Sequence, residues 1–134
     1  MKALFEKLLS KSKNIEKVSL PKDAESYYKP IAQALADMAP ENWATIRVGS
    51  KIFEDSAHLT FRCFVGAPPQ QKFINYPRAQ VQIVENLLKE LKQYHIQCNE
   101  PWIGCLFEVN NTGKYKVHYF YEDIELSAIA DSNT

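Results

Sequence analysis

The sequence predicts an α+β fold: an antiparallel β-sheet of four or five strands with helices packed on one face. Two observations carry this. Strand-period alternation recurs in two pairs of neighbouring segments, 43–53 with 57–65 and 102–109 with 114–121, each pair joined by a short turn. Helical periodicity occupies separate runs, near 25–38 and 78–97. Strands joined by tight turns pair antiparallel, and helices in separate runs cover a sheet face as a second layer. At 134 residues the chain suits one domain, 1–134. A domain of this size buries roughly two-thirds of its unfolded surface, enough for an independent core.

Residues 2–17 set Leu4, Phe5, Leu8, Leu9 and Ile15 among lysines, a basic N-terminal arm or short amphipathic helix over 1–20. Its apolar face is short for stable membrane binding, so packing on its own domain is the expectation. Ser19-Leu20-Pro21 interrupts it. A helix then runs from Glu25 to Met38 with Tyr27, Ile31, Leu35 and Met38 at helical spacing. Pro30 belongs near its first turn, where a missing N–H costs least. Trp43 to Phe53 is a strand, with Gly49-Ser50 marking a bulge. Glu54-Asp55-Ser56 is a turn. In the strand 57–65, Leu59, Phe61, Cys63 and Val65 share one face, and His58, Thr60 and Arg62 the other. The stretch Gly66 to Gln71 is a loop, followed by a short edge strand at Phe73-Ile74 that Pro77 stops. Val81, Val84, Leu88, Leu91 and His95 make the long helix over 78–97. Two C-terminal strands follow, 102–109 and 114–121. Residues 126–134 read as a frayed tail.

The formal net charge is zero, which speaks against a general nucleic-acid binder. The charge is unevenly placed. Residues 1–29 carry seven Lys against four acids, whereas residues 98–134 carry two Lys against six acids, so the acidic end could steer a basic partner. Three cysteines, Cys63, Cys98 and Cys105, favour a reducing cytoplasm over a secreted disulfide scaffold. Cys63 and Cys105 sit in apolar strand runs as small buried hydrophobes. No stretch approaches the ~20 apolar residues of a membrane span, and the start lacks the apolar core of a signal peptide.

No motif for catalysis or a cofactor emerges. A Gly-rich phosphate loop, HExxH, CxxC and a nucleophile elbow are all missing from the sequence. His58 and His118 with Lys116 offer a minimal acid–base set for a small hydrolase or nuclease, though they lie on different elements. Glu122, Asp123 and Glu125 suit a hard cation, a solvated strand end, or imitation of phosphates before a basic cleft. Trp102 reads first as a core aromatic. Tyr115, Tyr119 and Tyr121 share a face of the last strand, in the core or at an interface. An aromatic strand running into carboxylates has the character of a recognition surface.

Several short motifs, in order, carry a resemblance. They are Tyr28-Lys29-Pro30-Ile31-Ala32-Gln33, Pro40-Glu41-Asn42-Trp43, Glu54-Asp55-Ser56, Glu100-Pro101-Trp102, Gly113-Lys114-Tyr115-Lys116-Val117 and Phe120-Tyr121-Glu122-Asp123. Over residues 25–125 the chain resembles the YezG-like immunity proteins. The resemblance implies a cytoplasmic antitoxin that binds a cognate toxin domain, often a nuclease, delivered by a neighbouring cell or made by the same cell. The missing motifs, the zero net charge and the lack of an apolar span add the expectation of no enzyme activity, no cofactor or metal, and no direct binding of nucleic acid or membrane. The candidate toxin contacts are Glu54, Asp55, Trp102, Tyr119, Tyr121, Glu122, Asp123 and Glu125. An adaptor domain within a larger complex is the remaining alternative.

Overall fold

A computed structural model describes residues 24–133. The expectation for residues 1–20 lies outside the described part. The order is α1 (Glu25–Ala36), β1 (Trp43–Ile52), β2 (Ala57–Val65), β3 (Gln70–Gln71), α2 (Arg78–Gln97), β4 (Gly104–Asn110), β5 (Tyr115–Phe120) and α3 (Leu126–Ala130). The strands form one antiparallel sheet in the order β3-β2-β1-β4-β5. The α+β fold and its antiparallel sheet are therefore as the sequence predicts.

Pairing register shows which side chains share a face. Ile46 lies opposite Cys63 and Val109, and Val48 opposite Phe61 and Phe107. These residues point to one side, where Tyr27, Ile31 and Leu35 of α1 and Val84, Leu88 and Leu91 of α2 complete the core. Tyr27 and Tyr94 join the two helices, ring centroids 5.8 Å apart. Cys63 and Cys105 are buried, as their apolar surroundings implied, and burial raises both thiol pKa values.

Four expectations need correction. First, the C-terminal residues are not a frayed tail. Leu126–Ala130 is helical, with Ile129 and Ala130 fully buried, and it packs on the sheet face opposite α1 and α2. Helices therefore occupy both faces. Second, Gly49 is not a bulge; β1 keeps regular register there with both neighbours, and the irregularity falls between Trp43 and Thr45. A glycine within a strand also marks close approach of another backbone, and Ala130 lies over Gly49. Third, the edge strand is Gln70–Gln71, paired with Phe64 and Val65. Phe73 is 87% exposed, and the chain has left the sheet by Tyr76, which stacks on Phe61 at 4.8 Å. Fourth, Pro30 lies past the first turn of α1, within the helix.

The end of α2 explains the Asn-Glu-Pro-Trp segment. Asn99 adopts the left-handed conformation, φ 63°, which Asn tolerates better than most residues. Its N–H bonds to the Ile96 carbonyl and that of Glu100 to His95, a Schellman closure. Pro101 cannot continue a helix, and the reversed chain brings Trp102 back onto the helix it has just left.

Candidate functional site

Trp102 is fully buried, and its Nε1–H donates to His95 Nδ1 at 2.9 Å. That bond places the proton of a neutral His95 on Nε2. Burial lowers the His95 pKa below its ordinary 6.5, while Glu100 and a hydrogen bond with the Leu91 backbone act in the opposite direction. Tyr119 packs on both rings, at 5.4 Å from Trp102 and 5.0 Å from His95. Its hydroxyl pairs with that of Tyr28 on α1. Burial first, and then this pairing, push the Tyr119 pKa far up. Lys92 closes the cluster, 5.3 Å from the Trp102 ring with its Nζ donating to the Ile52 carbonyl at 2.6 Å. Trp102 and Tyr119 thus tie α1, α2 and β5 together. The sequence placed both among the contact candidates; the structure puts Trp102 in the core and Tyr119 half-buried over it. Tyr115 also turns inward, donating to Glu25 Oε2 at 2.6 Å, a contact that leads in raising its pKa to about 12.

The other candidates come together at one end of the sheet. Ile52 pairs with Ala57, Lys51 with Gly104, and Gly104 with Phe120. The β1–β2 turn, the start of β4 and the end of β5 consequently share that end. Glu54 and Asp55 are exposed on the turn, and Glu122, Asp123 and Glu125 are exposed after β5. The β1–β2 turn and the segment after β5 flank the start of β4 at that same end. Both acidic groups can therefore face one partner. Tyr121, 58% exposed, lies beside them, and so does Phe53, 39% exposed, which the sequence reading did not single out. Lys51 sits within the acidic end, its Nζ 2.6 Å from Asp123 Oδ1 and 6.0 Å from the Phe53 ring centroid. Asp123 therefore already has a partner. Exposed aromatics ringed by carboxylates make a surface that can anchor a basic protein.

The minimal acid–base set does not converge. His58 is on β2 and His118 on β5, three strand spacings apart in the sheet, roughly 14 Å. Among the described residues, no three His, Cys, Asp or Glu are placed to hold a metal ion. No helix of the described residues is long and apolar enough to cross a membrane.

A family model for "Immunity protein YezG-like" matches residues 24–133. The chain belongs to the YezG-like immunity protein family. Immunity protein YezG of Bacillus spizizenii is 25% identical to it over 119 residues, covering 78% of this chain and 73% of that protein. The family match begins at residue 24, so the basic N-terminal arm falls outside it.

Four of the six YezG-like motifs converge on two places, and the other two lie at the acidic end. Glu100-Pro101-Trp102 builds the buried cluster just described. Lys29-Pro30 with Ala32-Gln33, Trp43, and Gly113 with Tyr115 line a groove of about 820 Å³ between α1 and the β4–β5 turn. That turn is set by Asn110, whose Oδ1 accepts from the backbone N–H of Thr112 and Lys114, and by Gly113 at φ 88°. Sequence reasoning missed three features: Phe53, the groove, and the docked C-terminal helix. The glycines at 49 and 104 within strands were the available signal for the helix.

Proposed function

We propose that this chain is a cytoplasmic immunity protein that binds a cognate toxin domain, a nuclease delivered by a neighbouring cell or made by the same cell, and neutralises it by occlusion. Family membership supports a toxin partner. The observation that carries the finer reading is the gathering of Glu54, Asp55, Glu122 and Glu125 around Tyr121 and Phe53 at one end of the sheet. Nuclease clefts are basic because the phosphate backbone dominates their substrate affinity. An acidic surface exploits that same field, with faster association through steering. The aromatics supply contact area that the charges alone do not.

The test is co-purification with the product of the adjacent upstream gene, followed by a nucleic-acid cleavage assay. One equivalent of this protein is expected to abolish cleavage, and the protein alone to cleave nothing. A complex that retains full cleavage contradicts occlusion. Cleavage by this protein alone, lost in His58→Ala or His118→Ala, supports the hydrolase alternative.

A further inference from the structure

The segment that carries Glu122 and Glu125 is held down at several points by the sheet beneath it. Arg47 of β1 donates through one guanidinium nitrogen to the carbonyls of Ala130 at 2.9 Å and Ser132 at 2.8 Å. Its other terminal nitrogen pairs with Glu108 of β4. Arg62 of β2 donates to Asp131 Oδ1 at 2.9 Å. Upstream, Lys51 holds Asp123. The floor is shaped to match. A Cβ on Gly49 would stand 2.8 Å from the Ala130 backbone nitrogen, and one on Gly104 2.6 Å from Ile129 Cδ1. The first clash is with backbone, so the helix itself would have to lift; the second is with the end of a flexible side chain.

We infer that Gly49 and Arg47, with Ile129 as the anchor, are positioning residues for partner binding. They dock residues 126–132 on the sheet and so fix Glu122 and Glu125 beside the β1–β2 turn before the partner arrives. This rests on the proposed function, because it supplies the reason for ordering those carboxylates. Each backbone residue left to be ordered at the moment of binding weakens affinity by roughly tenfold. Preorganisation removes that loss, and none of the three residues needs to touch the partner.

The experiment compares the wild-type chain with Gly49→Val, Ile129→Ala and the conservative Ile129→Val. Hydrogen exchange of the free proteins reads docking, and titration calorimetry with the purified product of the adjacent upstream gene reads binding. Gly49→Val and Ile129→Ala are expected to lose exchange protection across 122–132 while α2 and β4 stay protected. Their affinity is expected to fall tenfold or more, and Ile129→Val to restore most of it. Ile129→Ala inserts no atoms, so it carries the test if Gly49→Val fails to fold. Lost protection at 122–132 with unchanged affinity overturns the inference alone. Unchanged protection in both Gly49→Val and Ile129→Ala also overturns it, since these residues then do not set the docking. A wild-type chain that binds no toxin domain overturns the proposed function, and this inference with it.

Discussion

Replacing Trp102 by Phe separates stability from recognition. Trp102 is fully buried, so the variant acts on the core and leaves the acidic end unaltered. Two losses add. The bond to His95 Nδ1 disappears and leaves a buried acceptor without its donor, which costs about 1–3 kcal/mol. The smaller ring also opens space beneath Tyr119 and Lys92. Because Phe keeps much of the packing, this adds only about 1 kcal/mol, well below the 3–5 of full truncation. A total near 2–4 kcal/mol is a large part of a typical 5–15 kcal/mol stability but leaves the native state dominant. Urea unfolding followed by far-ultraviolet circular dichroism at pH 7.5 measures it, with the midpoint falling and the slope unchanged. Toxin affinity, measured where the variant is fully folded, is expected to stay within a factor of about three. A variant as stable as wild type that has lost its affinity would refute the placement of Trp102 in the core.

Other predictions follow from the same geometry. The folded state holds His95 neutral with its pKa below 6.5, so the unfolded chain binds more protons as the pH falls. The stability from the neutral ring is complete above pH 6.5 and is lost as pH falls through the folded pKa. Urea midpoints from pH 8 down to pH 5 should therefore decline more steeply in wild type than in His95→Gln, and equal slopes would contradict this. At the end of α2, Asn99→Gly should leave stability level or raise it, and Asn99→Val should lower it by about 1 kcal/mol or more, because only the latter is strained at φ 63°. Thermal denaturation of the two variants checks the order.

Most of the fold was legible because the chain alternates cleanly wherever one face is buried. The β2 residues Leu59, Phe61, Cys63 and Val65 face the helices as period-two patterning requires. The α2 boundaries were equally readable, since Pro77 and Asn99 punctuate both ends. The C-terminal helix was not. Leu-Ser-Ala-Ile-Ala is too short for helical periodicity to register, and its partners Gly49 and Gly104 act by what they lack. The candidate site was half legible. Charge patterning located the carboxylates, but parity could not say which face the tyrosine stripe meets. Tyr115 and Tyr119 turn toward α1, and Tyr121 escapes because it lies beyond the end of β5. Lys51 carries no signal of its own in the sequence, and only the fold brings it to Asp123.

The central claim is that the acidic end of the sheet meets a basic toxin surface. Calorimetry of the complex at low and high salt, with wild type and Glu122→Lys/Asp123→Lys, tests it most directly. Asp123 is already paired with Lys51 on an exposed surface, a contact worth about 0–1 kcal/mol, so the double variant should remain folded. If these carboxylates meet the partner's cations, reversing them should weaken binding by about 2–5 kcal/mol, and wild-type affinity should fall as salt rises. Unchanged affinity in the folded double variant, with no salt dependence in the wild type, would contradict the account.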